Sequence, residues 1–499
     1  MGESDLKLAI GDTFVLPPLS EDTETAVATV QDLPDLELGS IYHDTVDLRL
    51  ARSGVTLRYR IGDDGGPCWS LKLPAPDGEN GEHQELSFTG GPAEIPAAAR
   101  DLVSAWARRG HIAPAAALST RRRRWLLVSE AGAELAVLVQ DDVSVLDGDR
   151  VIGRFRELEV ASRGPRRDQL HPIVLALQRA GATNSEPVPK SVRALGPRAA
   201  AAPDVVIPTP DPQAPAGEAV RFAMANGTLR LMQHDAPTRM GEVEGVHQMR
   251  VATRRLRGDI GTFGPLIDEP WGDALADELR WLGDLLGAVR DRDVQLASLA
   301  SDDADLQGDL MQLRTAIATA RDNAREELIE ALAGSRYLDL LERMVQAARD
   351  PLLTEAAGRA AADVVPDLLA RTAERTRGRL KDVQPDSPDQ TYHAARIGAK
   401  NLRYAAEAIG PFVARRAGRV RDVATAATAV QDVLGAHQDA LVMQQQVRET
   451  MDVHRKDAVF AFAAGRYSER LETRRRELRG GYPEARDALL KRMKRWGGR

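Results

Sequence analysis

The sequence predicts a multidomain α+β protein with a β-rich N-terminal part and an all-α C-terminal part built as a duplicated helical bundle. Three observations predict it. Residues of alternating polarity, such as those at 55–61 and 69–73, favour β-strands within the first 160 residues. From Gly217 onward, apolar residues recur every three or four positions in a chain rich in Ala, Leu, Arg and Glu, which favours helices. A basic motif in this second part occurs twice, which indicates an internal duplication.

A proline-rich segment joins the two parts. Eight prolines lie between residues 186 and 215, interspersed with alanine and few large apolar residues, which is typical of a semi-extended linker. We therefore expect a β domain at residues 1–182, a linker at 183–215 and a helical domain at 216–499. The halves of the helical domain are expected at about 216–360 and 361–499.

The bulk composition excludes several classes of protein. The chain has 499 residues, of which 43% are hydrophobic and 28% are charged, as in an ordinary globular protein. A single cysteine, Cys68, rules out an internal disulfide and argues against a cysteine-based zinc site. The net charge of −7 argues against a generally basic nucleic-acid binder, so nucleic acid is not an expected partner. No signal peptide or membrane span is recognisable, so we expect a cytoplasmic location without membrane partners. The sequence identifies no protein partner.

The repeated motif places cations on one face of two helices. Offsets of 0, 3, 7 and 10 residues fall within an arc of about 80° on a helix, along a length of about 15 Å. Neither copy contains an acidic residue, and each is followed by a Leu-Gly-x-x-x-Asp signature, at residues 286–291 and 434–439. The first stripe comprises His247, Arg250, Arg254 and Arg257 with the adjacent Arg255, and the second stripe comprises His393, Arg396, Lys400 and Arg403.

Such stripes suit a chain of phosphates, because guanidinium groups present a planar fork of donors and charge-assisted hydrogen bonds are strong. Two stripes brought together by a pseudo-twofold arrangement would line one groove for a linear polyanion. The alternative is a solvated basic face that pairs with acids of neighbouring helices. The two histidines are equally compatible with phosphate contacts and with buried, hydrogen-bonded positions. The aspartates of the signatures would cap helices or orient an arginine.

The stripes and signatures together resemble the CHAD family, the conserved-histidine α-helical domain, over roughly residues 216–499. The resemblance implies two pseudo-symmetric helical halves that bind inorganic polyphosphate through the stripe residues. The second signature has Gln438 where the first has Arg290, so the two halves would carry unequal charge.

In the β-rich part, charged residues share strand faces, because side chains along a strand alternate with period two. A closed barrel with these charges inside would gather them around one tunnel. Carboxylates, a hard divalent cation and cationic phosphate ligands would then form a triphosphate site. For any single pair, the alternative is an ordinary solvent-facing strand. The shared faces hold Glu3, Asp5 and Lys7, then Arg58, Arg60 and Lys72, and finally Glu157 and Glu159.

These residues, in this order, resemble the CYTH family, the triphosphate tunnel metalloenzymes, over residues 1 to about 182. The opening Glu3-Ser4-Asp5-Leu6-Lys7 is similar to the family's Glu-x-Glu-x-Lys, with Asp5 one methylene shorter. The resemblance implies an antiparallel β-barrel tunnel that uses Mg²⁺ or Mn²⁺. It implies catalysis by Lys7 near the attacked phosphate, metal binding by Glu3, Asp5, Glu157 and Glu159, and triphosphate binding by Arg58, Arg60 and Lys72, with Arg122 and Arg124 as further candidates.

The two resemblances predict an inorganic polyphosphate-binding protein whose tunnel hydrolyses triphosphate or short polyphosphate with a divalent metal. One alternative is a non-catalytic polyphosphate-binding protein, targeted to polyphosphate granules. A third hypothesis is an adenylyl cyclase, although no adenine pocket is recognisable in the sequence.

Overall fold

A computed structural model describes residues 6–62, 65–75, 83–165, 167–184, 188–302, 306, 308–413 and 416–497. The chain divides into two compact units, Met1–Asp204 and Val205–Arg499. The predicted fold class is confirmed, since the first unit is built on an antiparallel sheet and the second is helical.

In the residues that the structure describes, the first unit contains nine strands. They are β1 (Leu6–Ile10), β2 (Thr29–Asp44), β3 (Thr56–Ile61), β4 (Cys68–Pro74), β5 (His83–Phe88), β6 (Ala113–Val128), β7 (Glu134–Asp147), β8 (Arg150–Ser162) and β9 (Thr183–Asn184). They pair in the order β5-β4-β3-β2-β6-β7-β8-β1-β9, and every pair is antiparallel. The expectation of a closed barrel is corrected here, because in the described residues no pairing joins β5 to β9 and the sheet is open.

Five short helices accompany the sheet in the described part of this unit. They are α1 (Arg49–Arg52), α2 (Ala97–Leu102), α3 (Ser104–Ala107), α4 (His171–Arg179) and α5 (Lys190–Leu195). Helix α4 covers one face of the sheet, where its Ile173 and Leu177 join Leu138, Leu158 and Val160 in a buried apolar cluster. Because side chains alternate along a strand, the residues between these apolar positions lie on the opposite face of the sheet.

Part of the segment that the sequence suggests is a linker packs onto the first unit. We call residues 190–204 the strap. It begins with α5, continues through a short 3₁₀-helix at Pro197–Ala200 and ends at Asp204. Asp204 forms ion pairs with Arg108 and with Arg52, the latter at 3.0 Å, so the end of the strap is anchored to the sheet unit.

The second unit consists of ten helices in the described residues. They are α6 (Gly217–Gln233), α7 (Asp235–Met240), α8 (Val243–Phe263), α9 (Glu269–Asp302), α10 (Met311–Ala333), α11 (Ser335–Arg349), α12 (Ala361–Lys381), α13 (Asp389–Ile409), α14 (Ala417–Val453) and α15 (Ala458–Gly497). The duplication is visible in their bounds. Helices α8 and α13 both begin and end 146 residues apart, and each is followed directly by a 3₁₀-turn.

Close helix packing and a buried ionic network stabilise the first half of this unit. Gly227 of α6 lies against α8, where a Cβ would stand 2.5 Å from Cγ of the fully buried Leu256. Asp235 of α7 is fully buried, and its carboxylate accepts hydrogen bonds from Arg239 and from the hydroxyl of Tyr337 on α11, each at 2.7 Å. Within the described ranges, none of the helices combines the length and the apolarity that crossing a membrane requires.

Candidate functional site

The two basic stripes lie on the two equivalent helices α8 and α13, which pack against each other. At the contact, Gly258 of α8 faces Tyr404 of α13, and a Cβ on this glycine would lie 3.3 Å from the Tyr404 ring. This close approach brings cations of the two stripes into one region of the surface, where their charges affect each other.

The pKa values of the stripe residues show how closely the cations are gathered. Burial, and then the charges of Arg254, Arg396, Arg250 and Arg257, lower the pKa of Lys400 to about 7. Burial, with the charges of Arg250 and Arg396, also lowers the pKa of Arg254. Each stripe therefore acts on the other, and the region favours an anionic ligand over further positive charge.

Carboxylates neutralise only part of the two stripes. Glu407 of α13 contacts Arg255 and lies 3.8 Å from Arg403, so one acid connects the two stripes. Arg250 donates a 2.7 Å hydrogen bond to Asp291. In contrast, no carboxylate of the described residues lies within 4 Å of the cationic groups of Arg254, Arg257, Arg396 and Lys400.

Three buried guanidinium nitrogens in the stripes lack a hydrogen-bond partner among the described residues. They are Nε of Arg254 in the first stripe and Nε of Arg396 and Arg403 in the second. A buried donor without an acceptor is costly, and a ligand that supplies an acceptor recovers that cost. The orphaned donors therefore point to an anion with several oxygens.

The Leu-Gly-x-x-x-Asp signature supports the arginines from the neighbouring helices α9 and α14. Leu286 and Leu434 are buried and fix these helices in the core. The glycine that follows leaves room for an arginine, since a Cβ on Gly287 would lie 3.4 Å from Nη2 of Arg250, and one on Gly435 would lie 3.9 Å from Nε of Arg396. The glycine of the signature thus lets a guanidinium group approach each helix closely.

The aspartate of each signature lies inside a helix and orients charge, so it does not cap a helix end. Asp291 accepts from Arg250, as described above. Asp439 reaches solvent, yet desolvation by the surrounding protein raises its pKa, and the nearby Arg396 opposes this rise.

The two histidines are half-buried and have different neighbours. Burial, followed by the charge of Arg290, lowers the pKa of His247, so its ring is neutral at pH 7. Nδ1 of His393 lies 3.0 Å from Oε1 of Gln438, which occupies the position of Arg290 in the second copy. Further cations extend the region beyond the first stripe, where Arg290, Arg321 and Arg325 all lie near Asp293, a carboxyl whose pKa is raised by burial.

In the first unit, strand register places the candidate tunnel residues on one face of the sheet. Directly paired residues of neighbouring strands share a face. Lys7 pairs with Glu159, Arg122 with Asp141, and Asp141 with Glu157. The pairing of β6 with β2, of β2 with β3 and of β3 with β4 carries the same face of the sheet on to the β4 strand. This face therefore carries Lys7, Arg58, Arg60, Lys72, Arg122, Arg124, Glu157 and Glu159, whereas Arg121 and Arg123 point to the other side.

At the β3–β4–β5 end of this face, an acid holds the cations in place. Arg58 donates to Glu85 at 3.1 Å, and Nη2 of Arg60 lies 3.9 Å from the same carboxylate. Ser70 also donates to Glu85 at 2.7 Å, and Lys72 is the residue paired with Glu85 across the strands. Glu85 thus gathers the cations and would have to release them to a phosphate group.

At the β7–β8 end, buried acids are paired with cations of the strap. Asp141 is 2% exposed and accepts two hydrogen bonds of 2.8 Å from Arg122. Lys190 contacts Asp141 and lies 3.0 Å from Glu157, while Arg193 lies 3.7 Å from Glu157. Burial alone would raise the pKa of Asp141, but the hydrogen bond from Arg122 and the charge of Lys190 outweigh it and lower the pKa.

Other candidates at this end have looser contacts or lie outside the described residues. Nζ of the exposed Lys7 is 4.0 Å from Oε2 of Glu159. Arg124 donates to the backbone oxygen of Pro34, where β2 is irregular. Glu3 and Asp5, the first two candidate metal ligands, lie outside the described residues.

Comparison with known proteins identifies both units. A CYTH domain model matches residues 16–174, and a CHAD domain model matches residues 223–448. This chain is a CYTH domain followed by a CHAD domain. An uncharacterized protein of Mycobacterium tuberculosis strain H37Rv is 29% identical over 496 residues, covering 89% of this chain and 88% of the relative.

Solved structures are similar to each domain separately. The CHAD domain of the plant Ricinus communis is 26% identical, covers 59% of this chain and 96% of its own, and has a TM-score of 0.47. A candidate adenylyl cyclase from Hippeastrum, with a dominant triphosphatase activity, is 17% identical, covers 39% of this chain and 97% of its own, and has a TM-score of 0.25.

The CYTH family depends on a divalent metal, so the fit of such an ion can be tested against the tunnel face. Glu157 and Glu159 share that face, but Glu157 is already paired with Lys190 and Arg193. In the part of the chain that the structure describes, no group of three or more His, Cys, Asp or Glu side chains could hold a metal. A metal ion at Glu157 would therefore have to compete with the strap.

Sequence reasoning missed three residues of the CYTH face. Asp141 lies within strand β7, and only its pairing with Arg122 and Glu157 makes it part of the cluster. Lys190 lies in a proline-rich segment that carries no signal of a tertiary contact. Glu85 lies on an edge strand, and its role follows only from the register of β4 and β5.

Proposed function

We propose that this protein binds inorganic polyphosphate in the groove between the stripes of its CHAD domain. The observation that carries the proposal is the set of orphaned donors on Arg254, Arg396 and Arg403, beside Lys400, whose pKa is lowered to about 7 by burial and then by surrounding cations. A chain of phosphates would supply an acceptor to each donor and neutralise the repulsion. A single small anion would satisfy only part of the stripes, which are each about 15 Å long.

The carboxylates of the groove would adjust to such a ligand. Glu407 contacts Arg255 and lies near Arg403, and in this way it holds the two stripes together without a ligand. A phosphate group would replace Glu407 at these arginines, because charge-assisted hydrogen bonds to phosphate are frequently bidentate. Asp291 would remain beside Arg250 and keep its guanidinium oriented.

We further propose that the CYTH domain hydrolyses triphosphate or short polyphosphate with Mg²⁺ or Mn²⁺. When bound, the metal would neutralise charge on the phosphate oxygens and favour attack by water. Arg58 and Arg60 would leave Glu85 to hold phosphate oxygens, and Lys72 lies on the same face. Lys7 would stabilise charge near Glu159 at the attacked phosphate.

A second candidate function is non-catalytic polyphosphate binding. The pairing of Lys190 with Glu157 and Asp141 favours it, since the carboxylates that would hold a metal are already neutralised within the chain. Under this alternative, the tunnel face would bind short phosphate chains without hydrolysing them, and the protein would be a passive component of polyphosphate deposits.

The groove is tested by binding of polyphosphate of defined length to the variant R254A/R396A. Each lost charge-assisted hydrogen bond costs about 1.5–3 kcal/mol, so we expect affinity to fall at least about a hundredfold. The plot of log affinity against log salt should become shallower by roughly 1.4, since two phosphate contacts are lost. The matched control is R349A/R371A, which removes two exposed arginines outside the stripes. Equal weakening by both pairs would contradict the groove.

Hydrolysis is tested by phosphate release from triphosphate with Mg²⁺ or Mn²⁺. We expect turnover by the wild-type protein, loss of turnover in E157A and retention in E94A, which removes an exposed acid outside the tunnel face. Absence of turnover in pure protein that still binds polyphosphate tightly would leave the non-catalytic function. Competition between polyphosphate and RNA at matched salt would show whether the groove prefers phosphate chains, and formation of cyclic nucleotide from ATP would indicate a cyclase.

A further inference from the structure

Three arginines outside the stripes lie together in the first repeat of the CHAD domain. Helix α9 packs against both α8 and α10. Arg290 belongs to α9, while Arg321 and Arg325 lie on α10 four residues apart and so on the same face of that helix. Burial raises the pKa of Asp293, and the charges of all three arginines oppose this rise, so they surround one carboxyl. We call Arg290, Arg321 and Arg325 the side cluster.

Nearby carboxyls leave the side cluster with an excess of positive charge. Arg321 is paired at 2.7 Å with the exposed Asp322. In contrast, the guanidinium groups of Arg290 and Arg325 have no carboxylate within 4 Å in the part of the chain that the structure describes. Three arginines thus meet two carboxyls, those of Asp293 and Asp322, and at least one positive charge is left for a ligand.

The turn between α7 and α8 bounds the side cluster on one side. Gly241 in this turn has a φ of +82°, a conformation that favours glycine. A Cβ at this position would overlap the guanidinium group of Arg325. The guanidinium therefore lies directly against the backbone of the turn, and a side chain at position 241 would push it away from the other two arginines.

Arg290 connects the side cluster to the groove between the stripes. Burial, and then the charge of Arg290, lower the pKa of His247, the first residue of the first stripe. Burial raises the pKa of Asp439, and the charges of Arg396 and, less strongly, of Arg290 oppose this rise. Arg290 therefore lies close to residues of both repeats, and a ligand in the groove could extend past it to Arg321 and Arg325.

The second repeat has no counterpart of the side cluster. Helix α15 begins 147 residues after α10, and at this offset Ser468 and Glu472 correspond to the two arginines of α10. Gln438 occupies the position that corresponds to Arg290. Glu472 is moreover paired with Arg475 at 2.9 Å, so this end of the second repeat holds its cations internally. The excess of positive charge is therefore found at one end of the groove.

The charge of the side cluster suits the end of a phosphate chain better than its middle. An internal phosphate of polyphosphate carries one negative charge. A terminal phosphate has a second ionisable oxygen, as a phosphate monoester does, and therefore carries about −1.5 to −2 charges at pH 7. The positive charge left over in the side cluster would neutralise this additional charge, and the planar forks of arginine would match the additional oxygen.

We propose that the side cluster binds the terminal phosphate of a polyphosphate chain whose following units lie in the groove. The inference rests on the proposed binding of polyphosphate between the stripes. It adds that the CHAD domain recognises a free chain end, and that this end lies at the first repeat.

The first test compares two ligands on the full chain. One is linear polyphosphate long enough to span both stripes, and the other is the same chain with a methyl ester at each end, which removes the second ionisable oxygen. We expect the wild type to bind the free chain at least about tenfold more tightly, because a charge-assisted contact is lost with the ester. This preference should largely disappear in R290Q/R325Q. The preference is a ratio of two affinities of one protein, so a general effect of substitution on folding cancels.

The matched control is R349Q/R371Q, which removes two exposed arginines outside the stripes and the side cluster and should keep the preference. A wild type that binds both ligands tightly and equally would overturn this inference and leave the proposed function intact. So would a preference in R290Q/R325Q as large as that of the wild type. Failure of the wild type to bind either ligand would overturn the proposed function and this inference with it.

The second test locates the two ends of a bound chain in the wild-type protein. The ligand is the same polyphosphate with a photoreactive ester at one end only, so that its other end is a free terminal phosphate. The free end should occupy the side cluster, and the labelled end should react with α14 and α15 about tenfold more often than with α10. In R290Q/R325Q the label should react with both repeats about equally. A wild-type label that reacts equally with both repeats, or mainly with α10, would refute recognition of the chain end.

Discussion

Binding of polyphosphate should depend on pH through Lys400. Burial, and the charges of four arginines, lower the pKa of this lysine to about 7, so in the free groove Lys400 loses its charge as pH rises from 7 to 9. A polyanion stabilises the charged form and raises the pKa again, so binding takes up a proton in this window. The sign is therefore fixed: affinity is highest below pH 7 and falls as pH rises.

The magnitude follows from the linkage between proton uptake and binding. While Lys400 is charged in the complex and neutral in the free protein, each pH unit above about 7 costs about 1.4 kcal/mol of binding free energy, or a factor of about ten in affinity. Between pH 7 and 9 the loss should thus approach about a hundredfold. The arginines of the stripes stay charged throughout this range and contribute no slope.

The assay is calorimetric titration with polyphosphate at pH 7, 8 and 9, in buffers of different ionisation enthalpy, so that proton uptake is read directly. K400R keeps its charge at every pH, so its affinity for polyphosphate should not change between pH 7 and 9. K400M should bind polyphosphate weakly, and its affinity should likewise not depend on pH. The assignment of Lys400 and its neighbours to the groove would be refuted if the wild-type affinity did not change with pH, or if the affinity of K400R fell with pH as that of the wild type does.

Three further predictions concern stability, each measured by urea unfolding. Burial raises the pKa of Asp259 to about 8, so between about pH 4 and 8 the unfolded state loses a proton that the folded state keeps, and the free energy of unfolding of the wild type should fall as pH rises. Relative to the wild type, the free energy of unfolding of D259N should increase by roughly 2–4 kcal/mol between pH 5 and 7.5. A difference between the two proteins that does not grow with pH would contradict the raised pKa. Y337F removes the donor to one oxygen of the buried Asp235 and should lower the free energy of unfolding by about 1–3 kcal/mol. An unchanged free energy of unfolding would contradict the role of this hydrogen bond. G227A should cost about 1–3 kcal/mol, because its Cβ would overlap the buried Leu256, and a stabilised variant would contradict the close packing of α6 on α8.

Much of the helical domain could be predicted from the sequence, because both its repeat and its helical period are local patterns. The spacing of His247 and His393 by 146 residues equals the offset between the bounds of α8 and α13. The pattern also indicated that the stripes could meet, as the mutual effects of Arg254, Arg396 and Lys400 on their pKa values show. The placement of Glu407 between the stripes could not be predicted, since it depends on how two helices cross.

The sheet unit was less predictable, because strand register is set by contacts distant in sequence. The run at residues 121–124 gave no indication of which arginines share the tunnel face, and the pairing of β6 with β7 decides it in favour of Arg122 and Arg124. The sequence predicts a linker where the strap lies, because eight prolines are a strong compositional signal. One of the contacts between the strap and the sheet joins Lys190 to Asp141, which lie 49 positions apart, and no periodicity encodes such a pair.

The inequality of the two repeats gives the groove a direction. Beyond the first stripe lie Arg290, Arg321 and Arg325 with the carboxyls of Asp293 and Asp322, whereas His393 of the second repeat faces the neutral amide of Gln438. A polymer of identical phosphates is the same from either end, so the polymer itself does not favour one orientation in the groove over the other. Under the proposed function, any preferred orientation of a bound chain would therefore come from the unequal charge of the two repeats.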